Sequence, residues 1–113
     1  MQGNIGEGVA FEALSHPTRR AILQYLQAHP HASVNAIAGQ FGVSRPAVSK
    51  HIKVLEAGGF ISVSEAGRER LCAISGEGFR KITDWVNLYE QFWSTKLNRL
   101  IQLLDENEPQ KQG

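Results

Sequence analysis

The chain has 113 residues, of which 42% are hydrophobic and 20% charged, so its size and composition are those of one globular domain and not of a disordered chain. Because Cys72 is the single cysteine, an intrachain disulfide is excluded, and we expect a reducing, cytoplasmic location. No apolar run approaches the roughly 20 residues of a membrane span, and the N-terminus lacks a basic start followed by an apolar stretch. We therefore expect neither a membrane segment nor a signal peptide.

The charges are unevenly distributed along the chain. The formal net charge is only +1, which by itself says little about nucleic acid. Residues 44–70 nevertheless carry five basic side chains against three acidic ones, whereas residues 76–113 carry five basic against six acidic. A local excess of positive charge in the middle of the chain is typical of a nucleic-acid contact surface.

Two helices are predicted at the start of the chain. Apolar residues recur at helical spacing over 7–14, and the Ser-His-Pro sequence at 15–17 interrupts that helix. Pro17 suits the first turn of a second helix, which covers about 17–28 and ends before Pro30.

A helix-turn-helix is predicted in the next segment. Ser33 is a typical cap for a third helix, and Gly42 suits its exit because glycine accepts a left-handed backbone conformation. The apolar face of this helix repeats at i, i+3, i+4 and i+7, at Val34, Ile37, Ala38 and Phe41. Ser44 caps a fourth helix two residues after the glycine, and the glycines at 58–59 end it.

A hairpin and a long helix complete the predicted order. Short β-like runs at 60–64 and 70–74 are joined by a glycine-containing loop over 65–69, and an amphipathic helix then covers about 77–105. The order is α-α-α-α-β-β-α, a mainly α fold with a small β-hairpin. A helix-turn-helix followed by a hairpin, the wing, is the winged helix-turn-helix architecture.

We expect one winged helix-turn-helix domain over residues 7–105, in which the helix at about 77–105 serves for dimerisation. The polar ends of the chain, 1–6 and 107–113, are expected to be flexible. No internal repeat or low-complexity linker divides the chain further.

The fourth helix has two opposite faces on a helical wheel. Val48, Ile52 and Leu55 fall within a narrow arc and are expected to face the core. The other side is small, polar and basic. The candidate DNA-binding residues on this helix are Ser44, Arg45, Pro46, Ser49, Lys50 and Lys53.

These residues suit a helix that enters the major groove. Small residues near its N-terminus allow close approach, and Lys50 can donate to guanine O6 or N7 or to a phosphate. Arg45 and the free N–H groups of the helix end suit a phosphate, and Lys53 is expected to contact the DNA backbone. The alternative is an ordinary amphipathic helix with a solvated basic face.

The wing gives a second, weaker signal. Arg68 and Arg70 flank the tip of the predicted hairpin. Arginine at this place can enter the minor groove or bind phosphate. The alternative is a solvated loop without a binding role.

Together these residues resemble the ArsR/SmtB family of bacterial transcription regulators. The matching parts are HPTRR at 16–20, SxxxxSxHI at 44–52, LxxGGFI at 55–61 and Gly-Arg at 67–68, and the resemblance covers about 9–75. It implies a winged helix-turn-helix homodimer that binds a palindromic operator and usually represses transcription.

The sequence departs from the family's metal-sensing members. Those members carry a Cys-x-Cys pair in the helix before the recognition helix, where this chain has VNAIAGQF, or Asp and His ligands in the C-terminal helix, which here has no histidine. His29 and His31 flank a proline, but two imidazoles without a third ligand make a poor zinc site. Cys72 is expected to be a buried small hydrophobe, and His51 to pack or to face a phosphate. We therefore expect no metal and no cofactor.

The C-terminal helix carries more apolar surface than one domain needs. Its apolar residues spread over roughly half of the circumference, whereas packing on the parent domain takes an arc of about 100°. Aromatic-rich faces of this kind are typical of protein interfaces, so we expect a two-fold dimer formed with the N-terminal helix. The predicted interface residues are Trp85, Tyr89, Phe92, Trp93, Leu97, Leu100 and Leu104. The alternatives are an internal core helix or a cavity for an aromatic small molecule, and the effector stays unknown.

These features predict a sequence-specific transcriptional regulator, a homodimeric repressor that recognises an inverted repeat in double-stranded DNA. Helix 44–58 is expected in the major groove and wing 65–70 on the minor groove or the DNA backbone. The alternatives are a winged-helix protein-interaction module without DNA binding and a metal- or redox-responsive repressor. The sequence shows no paired carboxylates, no nucleophile with a base and no phosphate loop in its proper context, so we expect no enzyme.

Overall fold

The computed structural model describes residues 5–107, which form five helices and one two-stranded antiparallel sheet. In chain order the elements are α1 (Ile5–Leu14), α2 (Pro17–Ala28), α3 (Val34–Phe41), α4 (Arg45–Ala57), β1 (Ile61–Ala66), β2 (Glu69–Ile74) and α5 (Glu77–Asn107). The predicted mainly α fold and the order of its elements are confirmed. Of the ends predicted to be flexible, residues 1–4 and 108–113 lie outside the described residues, whereas residues 5, 6 and 107 belong to the terminal turns of α1 and α5.

The helix boundaries follow from local capping. The Ser33 hydroxyl accepts a hydrogen bond from the Ala36 N–H at 3.0 Å, and so satisfies a donor of the first turn of α3 that has no partner within the helix. The helix ends at Gly42, whose φ of 63° is the left-handed conformation that glycine adopts without steric cost. Both predicted caps of α3 are confirmed, and only three residues, 42–44, separate α3 from α4.

The hairpin differs from its predicted form. We expected strands over 60–64 and 70–74 and a five-residue loop, but the strands pair up to Ala66 and Glu69, which leaves a two-residue turn. Gly67 opens this turn with a φ of 64°, as the first central residue of a type II′ turn requires. The prediction was wrong because the polar residues near the tip looked like loop. The tip of a wing projects into solvent, so its strands need no apolar residue at every second position. The usual sequence pattern of a strand is therefore missing there.

The sheet is extended by the segment that precedes α3. The Cys72 N–H donates to the Ala32 carbonyl at 2.9 Å, and Ser33 forms an isolated antiparallel bridge with Leu71. These bonds hold the wing strand β2 to the start of the helix-turn-helix. The wing and the helix-turn-helix are therefore joined through the backbone as well as through side chains.

One hydrophobic core lies within residues 5–82. The buried residues of this core come from α1 to α4, from both strands and from the connection before β1: Ala10, Ala13, Ile22, Leu23, Leu26, Val34, Ile37, Val48, Ile52, Leu55, Phe60, Ile61 and Cys72. The first turns of α5 pack against it, since the Phe79 ring lies 4.7 Å from the Phe60 ring, edge to face, and Ile82 also contacts the cluster.

The chain divides into two units, Met1–Ile82 and Thr83–Gly113. In the second unit, the described residues 83–107 are helical throughout. Exposed large apolar side chains of this unit are Val86, Leu88, Tyr89, Phe92, Trp93, Leu97, Leu100, Ile101, Leu103 and Leu104. None of the helices formed by residues 5–107 combines the length and the hydropathy of a membrane span.

Candidate nucleic-acid interface

The helix α4 is held by one face and presents the other to solvent. Val48, Ile52 and Leu55 are fully buried, which confirms their predicted place in the core. Among the outward candidates, Arg45, Pro46, Lys50 and Lys53 are exposed, and so is the cap Ser44, while Ser49 is half-buried. The exposed side of α4 is therefore basic and polar over three turns.

The first turn of α4 has fewer free backbone donors than a typical helix N-terminus. The Ser44 hydroxyl accepts from the Ala47 N–H at 3.3 Å, and the Ser44 carbonyl accepts from the Val48 N–H at 3.0 Å. Pro46 has no N–H to offer. Among the described residues this leaves the N–H groups of Ser44 and Arg45, together with the hydroxyl proton of Ser44, as the donors that a phosphate can meet at this end.

The wing brings a cation to its tip. Arg68 is the second residue of the two-residue turn and is exposed. Arg70 is half-buried and lies directly across the sheet from Glu65, although no salt bridge joins the two in the described structure. The two arginines therefore differ in exposure and in their neighbours. Arg68 projects from the tip into solvent, whereas Arg70 is half-buried and faces the carboxylate of Glu65.

A buried arginine links α1, α2 and α4, a role that we did not predict from the sequence. Arg19 is only 8% exposed, and its Nε and Nη2 donate to the carbonyls of Ala13 at 2.8 Å and Glu12 at 3.0 Å. Its Nη1 lies 3.3 Å from Nδ1 of His51 on α4. Arg20 donates to the Leu14 carbonyl at 2.6 Å in the same region.

Arg19 and Arg20 thus cap the last carbonyls of α1, which have no partner within the helix. In the sequence, HPTRR at 16–20 matches the family pattern but by itself indicates no structural role for the arginines. The Ser-His-Pro interruption after α1 was the available signal, because a helix that stops abruptly needs donors for its last carbonyls.

His51 lies in a cationic environment. Its ring is 4.6 Å from the His16 ring, and His16 uses its own Nδ1 to accept from the Thr18 N–H at the start of α2. Burial lowers the pKa of His51, and the positive charges of His16, Arg19 and Lys50 lower it further. Of the two predicted roles of His51, packing is the one its contacts show.

The described residues contain no cluster of three or more His, Cys, Asp or Glu side chains that suits a metal ion. His29 stacks on Tyr25 with ring centroids 4.1 Å apart, and its Nδ1 lies 3.1 Å from the Tyr25 carbonyl. Cys72 is fully buried, as predicted, and burial raises the pKa of its thiol, with Arg70 acting in the opposite direction and Glu56 adding to the rise. A thiol with these properties reacts slowly.

The second unit carries an aromatic cluster on one side of α5. The rings of Trp85 and Tyr89 stack at 4.7 Å, and the Trp93 ring meets Tyr89 edge to face at 5.9 Å. Lys96 Nζ lies 5.0 Å above the Phe92 ring, a cation–π contact. Beyond this cluster the same side continues with Leu97, Leu100 and Leu104. All seven predicted interface residues therefore lie on this side, and six of them are between 43% and 59% exposed.

The fold and the basic exposed face of α4 define a class of protein, the winged helix-turn-helix proteins that bind DNA. A family model described as a helix-turn-helix domain matches residues 14–64. The HTH-type transcriptional regulator Rv2034 of Mycobacterium tuberculosis is 37% identical over 97 residues, which cover 85% of this chain and 86% of that protein.

Two solved structures carry the comparison further. The crystal structure of an ArsR family transcriptional regulator is 36% identical, with a TM-score of 0.74, over 83% of this chain and 97% of the other. The homodimeric winged helix-turn-helix domain of a possible ArsR-family regulator from Mycobacterium bovis, solved by NMR, is 24% identical with a TM-score of 0.61, over 77% of this chain and 80% of the other. The latter supports the fold. The chain belongs to the ArsR family and is a transcriptional regulator with a helix-turn-helix DNA-binding domain.

Proposed function

We propose that the protein acts as a homodimeric repressor that binds an inverted-repeat operator, with α4 in the major groove and the wing on the minor groove or the phosphates. The observation that carries the proposal is the outward face of α4. It is basic and exposed, and the opposite face is fully buried in the core. A helix held in this way presents a rigid set of donors to DNA.

The contacts of α4 are assigned by position. Lys50 lies midway along the exposed face, and we assign it to a base edge, where lysine donates to guanine O6 or N7. Lys53 is one turn further from the N-terminus and is assigned to a phosphate. Arg45, the Ser44 hydroxyl and the Arg45 N–H are assigned to a phosphate at the helix N-terminus. Pro46 and Ser49 are small enough to let the helix approach the groove.

The wing supplies a second contact outside the major groove. Arg68 projects from the turn into solvent, so its guanidinium is free to enter a narrow minor groove or to bind a phosphate. Arg70 is assigned a weaker role, because the facing Glu65 offsets part of its charge.

The dimer is proposed from the second unit. Large aromatic and aliphatic side chains are about half exposed along α5. Side chains of this kind are typical of surfaces that become buried at the centre of a protein interface. The Mycobacterium bovis domain described above is a homodimer, which supports the same assembly here. A two-fold dimer presents two recognition helices about 34–36 Å apart, which is one turn of DNA and matches an inverted repeat.

The test is selection of bound duplexes from a random pool, followed by a titration of the best duplex at several salt concentrations. We expect an inverted repeat, and an affinity that falls steeply with salt because phosphate contacts release counterions. Selection of direct repeats would contradict the two-fold arrangement. Failure to enrich any duplex would favour the protein-interaction alternative. Repression is tested separately, by transcription in vitro from a promoter that contains the selected sequence.

A further inference from the structure

The Arg19 guanidinium is the starting point of the inference, because it is rigidly placed before it reaches α4. Its Nε and Nη2 are both held by carbonyls at the end of α1. A planar guanidinium with two of its three nitrogens held in this way has little freedom to rotate. Its third nitrogen, Nη1, is therefore directed at His51.

This contact depends on the protonation of His51. An arginine N–H only donates, so Nδ1 of His51 must accept, and the ring is neutral with its proton on Nε2. A proton on Nδ1 replaces the acceptor with a second donor and sets two positive charges against each other. The hydrogen bond between α2 and α4 is then lost.

The charged groups around His51 do not compensate for this repulsion. The charges of His16 from the α1–α2 connection, of Arg19 from α2 and of Lys50 from α4 itself all disfavour a protonated His51. From α1, the Glu12 carboxylate lies 3.9 Å from Arg19 Nη2, but its side chain is 72% exposed, so water screens its charge.

We propose that Arg19 is a positioning residue for DNA binding, that it orients the recognition helix through its hydrogen bond to His51, and that protonation of His51 releases this bond and weakens operator binding. The proposal rests on the function proposed above. Loss of the bond should be felt at Lys50, the neighbour of His51 in α4. A small rotation of the helix moves the Lys50 side chain away from the base edge that it is proposed to contact.

The direction of the pH effect follows from the neutral ring. The fold favours neutral His51 and lowers its pKa below the ordinary value of 6.5. The contribution of the bond to stability is therefore complete above that value, and it is lost as the pH falls below 6.5 toward the lower pKa of the folded protein. Operator affinity depends on the protonation of His51 in the folded protein, so it should decline only as the pH falls to the lowered pKa of the folded state.

The test compares His51→Asn with His51→Ala on a duplex selected from the random pool. The asparagine Oδ1 can accept from Arg19 near the position of Nδ1 but does not titrate, and alanine removes the acceptor. At neutral pH we expect the asparagine variant to bind within about twofold of the wild type and the alanine variant to bind about tenfold more weakly. Between pH 7.5 and 5.0, at constant ionic strength, the wild type should lose at least about threefold more affinity than the asparagine variant.

Two results would overturn the proposal: wild-type affinity in the alanine variant, or the same pH profile in the wild type and the asparagine variant. Thermal unfolding at the same pH values needs no DNA, and the wild type should lose more stability below pH 6.5 than the asparagine variant does. If no duplex is selected, the proposed function fails. The unfolding comparison still tests the link between Arg19 and His51, and identical stability profiles would overturn it.

Discussion

The two units of this protein use the same helical periodicity with opposite results. In residues 5–82, apolar stripes such as those with Ile22, Ile37 and Ile52 are fully buried in one core. In residues 83–107, a stripe of similar spacing leaves Leu97 and Leu100 half exposed. Because the hydrophobic effect is not directional, periodicity predicts that a stripe will be buried but does not say against what.

The exposed faces of α4 and α5 also differ in chemistry. The outward side of α4 carries Arg45, Lys50 and Lys53, whereas the exposed stripe of α5 is aromatic and aliphatic. A polyanion is bound by cations, and a second protein surface is bound by desolvation of apolar side chains. We therefore assign the DNA contact to the first unit and the contact between copies to the second. The predictions below test this division.

The largest effect is expected from charges on the exposed stripe of α5. The double substitution Trp93→Glu and Leu100→Glu should give monomers in sedimentation velocity, because two carboxylates cannot be desolvated in an apolar interface. Loss of one recognition helix from the complex should also reduce operator affinity by at least about a hundredfold. Asn98→Glu adds a charge on the polar side of the same helix and should leave the dimer intact. A double variant that stays dimeric would move the interface elsewhere.

The next effect concerns the core of the first unit. Ile52→Ala should lower the free energy of unfolding by about 2–5 kcal/mol, because Ile52 is fully buried and the change leaves a cavity. Lys53→Ala, its exposed neighbour, should change stability by less than about 0.5 kcal/mol. Chemical denaturation of both variants checks the pair, and equal losses would contradict the two-faced structure of α4.

A smaller effect is expected from the base contact assigned to Lys50. Lys50→Ala should weaken binding to the selected duplex by about 1–3 kcal/mol and relax the preference at one base-pair position, with the unfolding transition unchanged. Fluorescence anisotropy with duplexes substituted at each position measures both. If binding weakens equally for all duplexes, Lys50 contacts a phosphate instead.

The smallest effect is expected at the wing. Arg68→Ala should reduce the slope of log affinity against log salt by about one unit, since one phosphate contact is lost. Arg68→Lys keeps the charge and serves as the matched control, so it should restore the slope. An unchanged slope in the alanine variant would leave the wing without a role in binding.

Much of the fold could be predicted because its signals are local. Ser33, Gly42 and Ser44 act within three or four residues of their own positions, so the helix-turn-helix was located correctly. Core-facing residues of α4 followed from periodicity alone. The turn of the wing was predicted with the wrong length, because a glycine in a polar stretch is compatible with a short turn or with a longer loop.

The sequence by itself determined the order of the elements, the caps, the basic face of α4 and the apolar excess of α5. Only the tertiary structure revealed that Arg19 is buried between α1 and His51. Arg19 and His51 are 32 positions apart in the sequence. That contact depends on how three helices pack, and no local spacing encodes it. Tertiary structure also decided which apolar stripes are covered, because burial depends on the elements that reach a stripe and not on the stripe itself.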